Sequence, residues 1–99
     1  MYLPAEHRFV ATVDGSEDVA FLDVVPATTV WTFAHTEVPE SLSGFGIGSA
    51  LVKAALDHAR AVGVNVIPRC PFVAAYMRRH PEEQDLITDR YKFLVEKGR

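Results

Sequence analysis

The segment Ser43-Gly44-Phe45-Gly46-Ile47-Gly48-Ser49 constrains the fold of this chain most, because of what flanks it. A β-like run, Thr29 to Val38, precedes it, and an amphipathic helix beginning near Ser49 follows. A glycine-rich turn between a strand and a helix leaves backbone N–H groups unpaired at the helix N-terminus. Those donors, together with the positive end of the helix dipole, suit a phosphate or pyrophosphate. The segment therefore predicts both a strand–helix junction and a phosphate-bearing cofactor.

The rest of the chain arranges itself around that junction. Arg8 to Val13 alternates, with Phe9, Ala11 and Val13 on one face, and reads as a strand. Asp14-Gly15-Ser16 supplies a turn, Val19 to Val25 a second strand, and Thr29 to Thr36 a third after the break at Pro26-Ala27. Three strands so close in sequence predict an antiparallel meander. The helix from about Ser49 to Val62 carries Leu51, Val52, Ala55, Leu56, Ala59 and Val62 on one stripe, with Lys53, Asp57 and Arg60 away from it. Gly63 stands where a C-terminal glycine cap belongs. Val64 to Ile67 gives a short strand stopped by Pro68, and the βαβ connection makes it parallel to the third strand. A second helix starts at Cys70-Pro71, with Phe72, Val73, Tyr76 and Met77 facing inward, and Pro81 stops it after His80. The tail from Glu82 to Arg99 fits either a closing helix or an added strand. The fold class is α/β, in the α+β sense: a mixed sheet built as a meander, a βαβ unit and a second helix.

A chain of 99 residues predicts one domain, 1–99, without a separate substrate domain. Its net charge of -3, with no basic face evident, argues against nucleic acid as the main partner. The opening residues have neither a basic region nor the apolar core of a signal peptide, and no apolar run approaches the ~20 residues that cross a bilayer. Cys70 is the only cysteine, so a reducing cytoplasm is the expected location. The four histidines, His7, His35, His58 and His80, lack zinc-ligand spacing, and no metal is expected.

A glycine-rich turn alone is a weak signal. Gly48-Ser49-Ala50 lacks the lysine of a Walker A loop. A dinucleotide fold puts its glycine turn after the first strand of a larger parallel sheet, whereas this turn follows a meander. The order of elements instead resembles the GNAT superfamily of acetyl-CoA-dependent N-acetyltransferases. Two segments sharpen the resemblance: His35-Thr36-Glu37-Val38-Pro39, and Pro68-Arg69-Cys70-Pro71-Phe72-Val73 with Tyr76 and Arg79-His80-Pro81. They look like the small single-domain branch of that superfamily, and the match runs from about residue 8 to residue 85. The superfamily's pyrophosphate loop reads Gln/Arg-x-x-Gly-x-Gly/Ala. Gly46 and Gly48 fill its last two places, Ser43 replaces the Gln or Arg, and Phe45 replaces a basic residue common in this branch.

The resemblance implies acetyl-CoA or coenzyme A as cofactor, held by backbone groups of the turn, Ser43 through Ser49. Glu37 and Val38 would then pair with the pantetheine arm and the acetyl carbonyl. Arg78 and Arg79, on the polar face of the second helix, are candidates for the CoA phosphates, although paired arginines more often only solubilise. The catalytic candidates are His35, Glu37, Cys70 and Tyr76. His35 and Glu37 lie two apart on a strand, on one face, and either suits removal of the amine proton. Cys70 precedes a helix N-terminus, where the dipole favours thiolate; it suits an acetyl-cysteine intermediate, a position beside the CoA sulfur, or a buried apolar site. Tyr76 matches a tyrosine that in many GNAT enzymes protonates the departing thiolate, and is otherwise a core aromatic. The expected function is acetyl transfer from acetyl-CoA to a primary amine, on a protein or a small molecule. The alternative is a non-catalytic CoA- or acyl-CoA-binding module that serves a protein partner.

Overall fold

In the computed structural model, which describes residues 1–96, the alternating segments form a five-stranded sheet in sequence order, β1 to β5. Strands β2 (Arg8–Thr12), β3 (Val19–Pro26) and β4 (Val30–Glu37) make the antiparallel meander. Gly15, at φ +87, turns the chain between β2 and β3, in a conformation that costs a side-chain-bearing residue about 1 kcal/mol or more. Helix α1 (Ile47–Val62) carries the chain over to β5 (Asn65–Pro68), which pairs parallel with β4 from Val30↔Asn65 to Phe33↔Pro68. Helix α2 (Pro71–Arg79) follows, with Pro71 in its first turn, where the missing N–H costs nothing. The mixed sheet, the βαβ unit and the second helix are as the sequence predicts.

One sheet face carries the core. Phe9, Ala20, Leu22, Val24 and Phe33 meet Leu51, Val52, Ala55, Leu56 and Ala59 of α1 and Val73, Tyr76 and Met77 of α2 in one buried cluster. Burial of each large side chain there stabilises the fold by about 1.5–3 kcal/mol. Val62, predicted on the buried stripe, is exposed as the last residue of α1. Gly63, at φ +81, closes that helix with its N–H on the carbonyls of Ala59 and Arg60.

Two elements depart from the sequence reading. Strand β1 (Tyr2–Leu3) pairs antiparallel with β2 and was not predicted, since two residues are too few to show alternation. Its Tyr2 ring lies 4.5 Å from Phe9, 5.4 Å from Trp31 and 4.9 Å from His58 of α1, which fastens the sheet edge to the helix. The described part of the tail is neither α-helix nor strand. It takes two 3₁₀ segments, Pro81–Leu86 and Asp89–Val95, which bring Leu86 and Val95 into the core cluster; residues 97–99 lie outside the described ones. Arg60 of α1 holds the first segment, donating to Glu83 at 2.9 Å and to Asp85 at 2.7 Å. Glu83 is buried, with Lys53 of α1 as a second cation at 3.8 Å.

A bulge in β4 sets the faces on which the chemistry sits. Val24 pairs with Phe33 but Asp23 pairs with His35, so Ala34 is an extra residue on β4. Without it, Phe33 and His35 would share a face. With it, Phe33 and Thr36 both turn to the core, opposite Val24 and Leu22. His35 and Glu37 turn to the outer face, opposite Asp23 and Phe21.

Candidate active site

Strand β4 has two neighbours over its first half and one over its second. Its parallel pairing with β5 ends at Phe33↔Pro68, and the last bond across that edge runs from the Cys70 N–H to the Phe33 carbonyl, 3.0 Å. Beyond it the chain turns into α2, while β4 continues to Glu37 paired with β3 alone. The two strands thus part, and the β5-side edge of β4 from Ala34 onward borders an opening. A segment laid along that edge meets backbone donors and acceptors that no strand of the described residues uses.

The mouth of the opening is the glycine turn. After β4 a 3₁₀ segment, Glu40–Leu42, is anchored by the buried Leu42 side chain and by a hydrogen bond from Ser41 to Asp18 of the β2–β3 turn. Gly44 and Gly46 then both take positive φ, +86 and +72, and nothing lies within 4 Å of where a Cβ of either would stand. Gly46 is the N-cap of α1 and brings no capping side chain. The helix starts at Ile47, two residues before the predicted Ser49, so Gly48 belongs to its first turn. The backbone N–H groups of that turn are left for another acceptor. Beside that turn lies a cavity of about 250 Å³ lined by Val38, Leu42, Ser43, Gly44, Gly46, Ile47, Gly48, Ser49 and Phe72. Its lining combines the glycines and serines of the turn with the apolar residues Val38, Leu42, Ile47 and Phe72. Gly48 is buried against the Phe72 ring, and a Cβ there would stand 2.7 Å from Phe72 Cζ and 3.4 Å from Val38 Cγ2.

The candidates named from sequence divide between the two sides of β4. Val38, Ser43, Gly44, Gly46, Ile47, Gly48 and Ser49 line the cavity, whereas Phe45, Glu37, Arg78 and Arg79 are not among the lining residues. Phe45 is exposed at the tip of the turn. The Arg78 guanidinium is engaged elsewhere, donating to the Val95 carbonyl at 3.1 Å, which ties α2 to the tail. Arg79 lies exposed in the last turn of α2.

His35 and Glu37 share the outer face, as predicted, with His35 Nε2 3.3 Å from Glu37 Oε1. Both are more than half exposed, and the His35 ring lies 6.0 Å from that of Phe21. Cys70 lies on the core side, buried, its thiol donating to Thr36 Oγ1 at 3.4 Å. Tyr76 is also on the core side. Its ring stacks on His80 at 4.1 Å, and burial raises its hydroxyl pKa, Glu83 adding to the rise and Lys53 opposing it. The charges acting on Tyr76 are thus those joining α1 to the tail, and Tyr76 is not among the residues lining the cavity. The four catalytic candidates are therefore not one cluster: His35 and Glu37 are brought together, and Cys70 is separated from them by the strand.

Phe72 is the site residue that the sequence misplaced. Assigned to the inward stripe of α2, it remains 40% exposed. It lies nearly over Tyr76 by helical angle but one turn earlier, where the stripe has passed the core and meets the opening. The signal available in the sequence was its position immediately after the proline that starts the helix.

The fold is thus a mixed α/β sheet that parts beside a bulged fourth strand, with an uncapped glycine turn following that strand. The family model described as GCN5-related N-acetyl-transferase matches residues 8–86, and the chain belongs to that family. Its general role is acetyl transfer. Among the described residues, no helix is long and apolar enough to cross a membrane.

Proposed function

We propose that the protein is an acetyl-CoA-dependent N-acetyltransferase that acetylates a primary amine by direct attack. The observation that carries this reading is the cavity lined by the uncapped first turn of α1, by Phe72 of α2 and by Val38, the residue that follows the unpaired end of β4. Its donor set fits the cofactor: backbone N–H groups without a side-chain cap for the pyrophosphate, and an apolar wall for the pantetheine arm. Bound acetyl-CoA supplies the activated acetyl thioester. The open backbone at Glu37 and Val38 would hold the arm and orient the carbonyl, so that positioning and backbone dipoles would carry much of the catalysis.

The division across β4 supports direct attack. The exposed His35–Glu37 pair faces solvent on the side from which an amine can approach, and it takes the ammonium proton directly or through water. The N–C bond then forms as the C–S thioester bond breaks, and CoA leaves as a thiolate that takes up the proton released by the amide nitrogen. Cys70, buried with its thiol on Thr36, lies on the other side of the strand and suits a place near the sulfur better than that of a nucleophile. The acceptor is an amine small or mobile enough to reach an exposed strand face, on a metabolite or a peptide.

Incubation with radiolabelled acetyl-CoA and a panel of primary amines, for wild type and Cys70→Ala, tests the reading. Acetyl-amide product from both proteins, without thioester-labile label on the chain, is the expected result. Label on the chain that disappears in Cys70→Ala replaces direct attack with an acetyl-cysteine route. Tight CoA binding without transfer to any amine makes the protein a binding module that serves a partner.

A further inference from the structure

The outer face of the sheet carries a cluster of side chains that the cofactor cavity does not use. Two rows of cross-strand neighbours stand side by side there: Arg8 of β2, Asp23 of β3 and His35 of β4 in one, and Val10, Phe21 and Glu37 in the next. Phe21 links the rows. The Arg8 guanidinium lies over its ring, 3.9 Å from the centre, and the His35 ring lies 6.0 Å away on the strand at its other side. Arg8 is also the only lysine or arginine in the five described strands. The one fixed cation of the sheet thus shares a face with the proposed His35–Glu37 base, with an aromatic ring on the strand between them.

Asp23 fixes the orientation of that cation. Its two carboxylate oxygens accept from Arg8 Nε at 2.6 Å and from Nη2 at 3.3 Å. This side-on pairing uses two of the five guanidinium donors, and the Nη1–Nη2 edge has no acceptor among the described residues. An ion pair whose side chains are about a third exposed adds little to stability; what it secures is the direction of the guanidinium. A planar guanidinium with a free edge matches a carboxylate, which it binds through two parallel hydrogen bonds.

Resting on the proposed acetyl-transfer reading, we infer that the acceptor amine carries a carboxylate and that Arg8 receives it. The amine stands at His35 and Glu37, the carboxylate at the free edge of Arg8, and the apolar chain between them runs past the Phe21 ring. Neighbouring strands lie about 5 Å apart, and β3 alone separates β2 from β4, so the two ends of the acceptor are about 5–10 Å from each other. An ω-amino acid with a chain of several carbons has that spacing. An acceptor with a second cation in place of the carboxylate meets like charge at Arg8.

The test measures kcat/KM for three primary amines of one chain length: ε-aminocaproate, hexylamine and hexamethylenediamine. The proteins are wild type, Arg8→Gln, Arg8→Lys and the double variant Arg8→Gln/Asp23→Asn, which removes the ion pair without stranding a carboxylate. Each is checked for folding by its melting curve and for CoA binding by titration calorimetry. Wild type is expected to prefer ε-aminocaproate to hexylamine about tenfold, chiefly through KM because Arg8 contacts a group remote from the reacting atoms, and to use the diamine least. Arg8→Gln and the double variant are expected to bring that ratio to about twofold or less. Arg8→Lys, which keeps the charge but not the planar fork, retains part of the preference. Hexylamine or the diamine used as well as ε-aminocaproate by the wild type, or a preference that survives Arg8→Gln, overturns the inference while leaving the proposed function standing. Transfer to no amine by a wild type that binds CoA overturns the proposed function and the inference with it.

Discussion

The two halves of β4, the apolar Val30-Trp31-Thr32-Phe33 and the more polar Ala34-His35-Thr36-Glu37, do different work. From Val30 to Phe33 the strand has β3 on one side and β5 on the other, and Phe33 is fully buried beneath α1 and α2. From Ala34 to Glu37 it keeps β3 and has no partner on its other edge among the described residues, while His35 and Glu37 stand out into solvent. The boundary between the halves is the bulge at Ala34 and the departure of the chain at Cys70. The first half stores stability, and the second exposes backbone that a ligand can pair with. A strand completed on both sides would be more stable and would leave no edge for a ligand.

Substitutions in the two halves sharpen the contrast. Phe33→Ala, in the closed half, removes a fully buried ring and is expected to cost about 3–5 kcal/mol of unfolding free energy in denaturant titrations. Glu37→Gln, in the open half, is expected to leave stability within about 0.5 kcal/mol and to lower the acetyl-transfer rate on the order of 10²-fold. If Glu37→Gln destabilises as Phe33→Ala does, or leaves transfer intact, the division fails. A smaller effect lies at the mouth: Phe45→Arg places a cation on the exposed tip of the anion turn and is expected to tighten CoA about 3–10-fold at low salt, an advantage that high salt erodes. Unchanged affinity would count against phosphate binding at this turn.

The smallest effect concerns a region remote from the opening. Arg60 hydrogen-bonds Asp85 and holds its carboxyl below the ordinary value of 3.8. A carboxyl depressed in the folded state lends stability above its unfolded value and loses it as pH falls through the folded one. Melting curves of wild type and Asp85→Asn should therefore differ slightly near neutral pH and converge in acid. Because Asp85 is largely exposed, the difference is small and falls with salt. CoA affinity should be the same in both proteins.

How much of this was legible in the sequence follows from the range of the interactions involved. The meander, the βαβ unit, the glycine turn and both helices rest on local patterning, and the stretch picked out from about residue 8 to residue 85 agrees with the family match over 8–86. Strand β1 was missed because its existence depends on Tyr2 packing against Phe9, Trp31 and His58, partners distant in sequence. The tail could not be assigned because Leu86 and Val95 are placed by a core that other segments build, not by a period of their own. At the site, the pairing of His35 with Glu37 follows from spacing alone. Their separation from Cys70 does not: it depends on a bulge that shows only in the register with β3. Phe72 was assigned to the core because helical angle says which way a side chain points, but not where the core ends.

The account's central claim is that coenzyme A occupies the parting of β4 and β5, and a ¹H–¹⁵N correlation titration with CoA tests it most directly. The amides of Gly44, Gly46, Gly48 and Ser49 and those from His35 to Val38 should shift together and saturably, while the closed half, Val30 to Phe33, changes little. Shifts confined to the outer strands or the tail, or no saturable shift at the glycine turn, would contradict it.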